Sequence, residues 1–146
     1  MAKILCIDDN AHGLKVRRLL LEREGHKVVV ASSGPEGLVL FRRRKPDLVV
    51  VDYVMPHMNG GDVIREMKRT SPKVPVVLLS GYTETLSLEE NVKEADCVLS
   101  KGTREIPELL HAIHRLLRKS NKKPAASVKA KAQSKAKKTP RRKAIS

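Results

Sequence analysis

Two acidic elements stand at the ends of apolar runs, where a carboxylate has little to gain. Asp52 closes Leu48-Val49-Val50-Val51, and Asp8-Asp9 closes Ile4-Leu5-Cys6-Ile7. Aspartate is rarely buried without a partner, because a desolvated carboxylate loses its hydration. If the two runs are neighbouring parallel strands, three carboxylates converge at one sheet edge. Like charges held close repel, so one carboxyl must protonate or a cation must join them. A hard divalent cation such as Mg²⁺, held by carboxylate and carbonyl oxygens, meets that need. Two further apolar runs lead to Ser80 and Lys101. Their ends bring a hydroxyl and an ammonium to the same edge.

Taken singly, each group has a plainer reading. Asp8 or Asp9 alone is a helix cap, Asp52 a solvated strand end, Ser80 a turn residue and Lys101 a surface lysine. His111 and His114 lie one turn apart, but the apolar stripe of their segment occupies the opposite face, so both are expected in solvent. His57 lies near the crevice without an assigned role.

These groups need a frame that aligns them. Short apolar runs at 3–8, 26–31, 47–51, 74–79 and 95–99 read as strands. Each is nearly continuous in apolar character, the pattern of parallel strands covered on both faces. Helical patterns fall between and after them, at 11–24, 35–45, 60–69, 84–93 and 106–119. Asn10 can cap the first helix, with Leu14, Leu20 and Leu21 on its inner face. Pro35 suits a helix start, followed inward by Leu38 and Phe41. The last pattern has a stripe of Ile106, Leu109, Leu110, Ile113, Leu116 and Leu117, with Pro107 in its first turn. The segment 84–93 has few apolar residues and is expected to be mobile. Five βα units predict an α/β fold: a doubly wound, flavodoxin-like three-layer sandwich with a five-stranded parallel sheet ordered 2-1-3-4-5. In that order the first and third strands are adjacent, and Asp8, Asp9 and Asp52 fall at the crevice where the order reverses.

Composition divides the chain unevenly. Of its 146 residues, 1–119 hold 20 Lys/Arg against 16 Asp/Glu, whereas 120–146 hold 10 Lys/Arg and no acid. The net +14 is therefore mostly a property of the tail. Aromatic residues are nearly absent, so the core must be built from Val, Leu and Ile. The two cysteines, Cys6 and Cys97, fall in predicted strands and are expected as buried free thiols, suited to a reducing cytoplasm. The opening residues lack the pattern of a signal peptide, and no apolar stretch approaches the ~20 residues that span a bilayer.

Four motifs carry a resemblance: Ile7-Asp8-Asp9-Asn10, Val51-Asp52 running to Asn59-Gly60 through Met55-Pro56, Leu79-Ser80-Gly81 and Leu99-Ser100-Lys101. Together, each after an apolar run, they resemble the receiver domain of two-component response regulators over residues 1–119. The resemblance implies that Asp52 accepts a phosphoryl group as an acyl phosphate. It implies that Asp9 binds Mg²⁺ directly, that Asp8 helps through water, and that Asp52 and the Val54 carbonyl supply further oxygens. Lys101 would pair with a phosphoryl oxygen and Ser80 would hydrogen-bond another. The partner implied is a sensor histidine kinase or a phosphotransfer protein. The chain would catalyse only its own phosphoryl transfer and hydrolysis, and would not otherwise be an enzyme.

Three positions depart from the family pattern. Val98 stands where receivers usually carry a switching aromatic. Gly102 follows Lys101 where proline is usual, which favours a trans peptide bond. Tyr82 is bulky beside the water path to the phosphoryl group. Val98 and Gly102 keep a different class open, a receiver fold that scaffolds a partner without phosphorylation. An aspartyl phosphatase is disfavoured, because Val54 stands where such enzymes need a second acid.

Residues 120–146, rich in Lys, Ala and Pro, have almost nothing to bury and read as disordered. They resemble the basic arms of histone-like proteins, which implies non-specific contact with double-stranded DNA. The alternative is a solvated tail that aids solubility. An anionic membrane lacks the apolar anchor it would need. No folded output domain is expected in this segment.

Overall fold

The computed structural model describes residues 1–81, 92–102 and 104–122. The helix expected at 84–93 falls almost wholly outside the described residues, as do Tyr82 and the tail beyond Lys122. Five parallel strands, β1 (Lys3–Ile7), β2 (Lys27–Ala31), β3 (Leu48–Asp52), β4 (Val76–Ser80) and β5 (Cys97–Ser100), form one sheet. Their order is β2-β1-β3-β4-β5, as the alternation of strand and helix patterns predicts. Among the described residues four helices accompany them: α1 (Ala11–Arg23), α2 (Gly34–Arg44), α3 (Gly60–Thr70) and α4 (Glu105–Lys122).

Alternate residues of each central strand feed opposite cores. Leu5, Ile7, Val49, Val51, Val76 and Leu78 meet Phe41 of α2 and Val63, Ile64 and Met67 of α3. Ile4, Cys6, Leu48, Val50, Val77 and Leu79 meet Leu14 and Leu21 of α1 and Leu109, Ile113 and Leu116 of α4. Helices on both faces explain why β1, β3 and β4 read as unbroken apolar runs. The edge strands β2 and β5 are only half-buried over most of their length. Cys97 therefore departs from expectation: it is half-buried, and Arg115 Nη2 lies 3.7 Å from its Sγ. Cys6 is fully buried as expected, and neither cysteine is in a disulfide.

Local signals set most element ends. Asn10, Ser33 and Asn59 cap α1, α2 and α3, each accepting a backbone N–H with its side chain. Gly25, at φ 94°, follows α1 and turns the chain in a conformation that glycine alone adopts freely. Lys45 ends α2 at φ 46° without that freedom. The last helix runs three residues past the expected 119, because no breaker intervenes before Pro124. Among the described residues, no helix is long and apolar enough to cross a membrane.

Candidate functional site

The register places the three aspartates. Ile7 pairs with Val51, so β1 and β3 end side by side, and Asp8 and Asp52 follow or close them at one edge. Asp8 is 1% and Asp52 4% exposed, whereas Asp9 lies in solvent. A carboxylate oxygen from each of the three lies within 4.8 Å of the others. Leu79 is the partner of Asp52 across β3 and β4, so Ser80 stands one residue further along, fully buried at the same edge and opposite Ser100. Lys101 follows β5. Its backbone N–H donates to Ser80 O at 2.9 Å, and its Nζ lies 2.6 Å from Asp52 Oδ1 and 3.8 Å from Asp8 Oδ2. The Lys101–Gly102 bond is trans, as the glycine suggests, and the ammonium still reaches Asp52.

The loop after Asp52 is tightly built. Tyr53 N–H donates to Leu79 O and Gly60 N–H returns to Tyr53 O, both at 2.8 Å. Met58 N–H donates to Pro56 O at 2.7 Å around His57, whose φ is 68°. That three-residue turn holds a non-glycine residue in a strained region. His57 is exposed. Val54 is also exposed, at 58%, while Met55 is buried beneath it. Gly60 is a close approach: a Cβ there would lie 2.6 Å from the carbonyl oxygen of Asp52. His111 and His114 face solvent, as the stripe beside them predicts.

Sequence reasoning missed Arg17. The residue is 5% exposed, on the α1 face that also buries Leu14 and Leu21. Nη1 lies 2.7 Å from Asp8 Oδ2, and Nε lies 3.0 Å from Glu105 Oε2 at the start of α4. The signal was present as spacing, since positions 14, 17 and 21 share one helical face. The repulsion anticipated among three carboxylates is therefore met first by two protein cations, Arg17 and Lys101. Burial pulls the Arg17 pKa down, but the hydrogen bonds and charges of Asp8 and Glu105 outweigh it, and the net shift is upward. Burial raises the Asp52 carboxyl above its ordinary value, and its bond to Lys101 only partly offsets this.

Three hard carboxylates gathered at a solvent-open edge fit a hard divalent cation. Asp8 is already engaged through both oxygens, Oδ2 by Arg17 and Oδ1 by the Asn10 N–H at 2.9 Å. Asp9 and Asp52 are the freer ligands.

A model of the response regulator receiver domain family matches residues 4–124. The chain is 32% identical over 124 residues to the DNA-binding response regulator MtrA of Mycolicibacterium paratuberculosis, an alignment covering 84% of this chain and 54% of that protein. It superposes on a response regulator receiver domain protein from Clostridium thermocellum with a TM-score of 0.76 and 34% identity, covering 83% of this chain and 98% of that one. It also superposes on the response regulator TrrA of Thermotoga maritima in complex with Mg²⁺-BeF, with a TM-score of 0.73 and 28% identity, covering 80% and 99%. The chain spans about half the length of the curated relatives it matches. With its order of strands and its acidic pocket of Asp8, Asp9 and Asp52, this chain belongs to the receiver domain family of two-component response regulators.

Proposed function

We propose that the chain is a phosphoacceptor in a His-to-Asp relay, with residues 1–119 as the receiver and 120–146 as a basic tail. The observation that carries the reading is the ion pair of Lys101 with Asp52, set among three converging carboxylates. An Asp52 oxygen attacks phosphorus, forming a P–O bond to the carboxylate as the donor histidine's P–N bond breaks. The electron pair of that bond leaves with the imidazole. Desolvation raises the basicity of Asp52 and favours attack. Lys101 is poised to pass its charge from the carboxylate to a phosphoryl oxygen. Ser80 would donate its hydroxyl to another. Asp9, Asp52 and the Val54 carbonyl would hold Mg²⁺, with Asp8 behind them through water. Bound Mg²⁺ supplies screening between carboxylate and phosphate and stabilises the charge of transfer. The TrrA complex with Mg²⁺-BeF supports this use of the pocket.

The partner on this reading is a sensor histidine kinase or phosphotransfer protein, which puts the relay in the cytoplasm. Output runs through protein contacts or through the tail on double-stranded DNA; MtrA, a relative, carries the description DNA-binding. Catalysis is confined to the chain's own phosphoryl transfer and hydrolysis. A second reading, a scaffold independent of phosphorylation, draws on Val98, a half-buried aliphatic residue packed on the core where an aromatic switch would stand. Intact mass after incubation with Mg²⁺ and acetyl phosphate separates the two. The phosphoacceptor gains one phosphoryl group and Asp52→Asn gains none. An unmodified wild type supports the scaffold, and the same adduct on the variant overturns Asp52 as acceptor.

A further inference from the structure

Asp8 and Glu105 sit at opposite ends of one buried guanidinium. Asp8 belongs to the acidic pocket, and Glu105 is the first residue of α4, 88 positions along the chain from Arg17. Arg17 contacts each through a different nitrogen, Nη1 at 2.7 Å and Nε at 3.0 Å. A planar, permanently charged fork suits this double duty in a way that a lysine does not. The pair also packs on α1 itself: a Cβ at Gly13 would sit in ordinary contact with it, 3.4 Å from Arg17 Nη1 and 3.5 Å from Asp8 Oδ2. A longer side chain there would compete with the pair for room.

We propose that Arg17 is a positioning residue which competes with the divalent cation for Asp8 and reports the site's occupancy to the first turn of α4 through Glu105. The proposal rests on the reading of the pocket as a Mg²⁺-dependent phosphoacceptor. A cation arriving among the three aspartates repels the guanidinium and draws on Asp8. Arg17 then transfers its bonding toward Glu105, whose carboxylate is its second partner. The linkage is reciprocal: whatever strengthens the Arg17–Asp8 pair weakens the metal, and the metal weakens the pair. The chain thus has a route from the pocket to a helix that does not use an aromatic ring at position 98.

Full-length wild type, Arg17→Met and Glu105→Gln, titrated with Mg²⁺ by calorimetry and followed by backbone amide spectra, test this. Arg17→Met should bind Mg²⁺ roughly tenfold more tightly, a conservative effect for one unit charge a few ångströms away. Glu105→Gln should bind it about two- to threefold more weakly, because the whole guanidinium falls to Asp8. In wild type, Mg²⁺ should shift the amides of residues 105–109; in both variants that response should be lost. Glu105 lies nearer the surface than Arg17, so its variant carries the test should Arg17→Met fail to fold. Equal Mg²⁺ affinities and equal α4 responses, in a wild type that still accepts a phosphoryl group, would leave Arg17 a structural ion pair and overturn the proposal alone. A wild type that neither binds Mg²⁺ nor accepts phosphate overturns the underlying reading as well.

Discussion

A guanidinium in a protein interior must be paired on its charged edge, and its partners come to depend on it. Removing Arg17 strands Asp8 without its 2.7 Å partner and frees Glu105. Breaking one side of a buried pair typically costs ~3–5 kcal/mol, so Arg17→Met should lower stability in urea by about that amount. Adding Asp8→Asn and Glu105→Gln should recover most of the loss; failure to recover would assign the cost to packing. Asp52 works in the opposite direction. Its carboxyl is raised by burial, so the folded state keeps a proton that the unfolded chain gives up. The associated stability is whole below the unfolded pKa and is lost as pH rises through the folded one. At neutral pH the ionised group is a net burden. Asp52→Asn should therefore melt higher than wild type at pH 7 without metal, with the gain vanishing in acid below the ordinary carboxylate range. Thermal melts across pH check it, and an unchanged Tm at pH 7 would mean that Lys101 compensates in full. The three aspartates were legible because charge at the end of an apolar run is conspicuous. Arg17 was not, because an inward arginine looks like a surface residue until the acid that pairs it is found, and Glu105 is distant in sequence.

At the scale of elements, the Asp52 loop is clamped by the start of α3. Gly60 abuts the Asp52 carbonyl, and backbone cannot move aside as a side-chain tip can. Gly60→Ala should cost about 1–3 kcal/mol, the range for overpacking. It should also slow phosphoryl acceptance without abolishing it, because Asp52 itself remains. A denaturation curve and a timed acetyl phosphate reaction measure the two effects; an unchanged rate would uncouple α3 from the acceptor. The elements themselves were readable from hydrophobic period, and all five strands occur where apolar runs predict them. Ends were less readable. The fourth and fifth runs were expected to start at 74 and 95, yet β4 starts at Val76 and β5 at Cys97. Pro75 has no N–H to offer, and the Val76 N–H goes to the Asp96 carboxylate at 2.8 Å while Asp96 N–H donates to Val76 O. Such exchanges between side chain and backbone leave no mark on periodicity.

For the molecule as a whole, charge is the lever. The segment 120–146 carries 10 Lys/Arg and no acid, against a nearly balanced remainder. The full chain should bind double-stranded DNA with little sequence preference. If about five to eight cations engage, log K should fall against log salt with a slope of roughly −4 to −7. Replacing the lysines and arginines beyond Lys122 by glutamine in the full chain should remove the binding. Retained binding would move the contact to the folded domain, and none in either protein would leave the tail a solubility device. Phosphorylation of Asp52 should alter DNA affinity little at physiological ionic strength, since surface charges more than a Debye length apart are largely screened.

The two cysteines, neither in a disulfide, amount to a pair of chemical clocks. Only a thiolate reacts with an alkylating reagent, and only where the reagent can reach it. Burial pushes the Cys6 thiol up to about 12, on the strand that leads into Asp8. Cys97 sits half-open on the edge strand. Cys97 should therefore be consumed first, whereas Cys6 should wait for β1 to open. The lag between them times the opening of the strand beneath the acidic pocket, with no label added. If the folded pocket holds Mg²⁺ as proposed, adding the ion should slow the second clock and leave the first running.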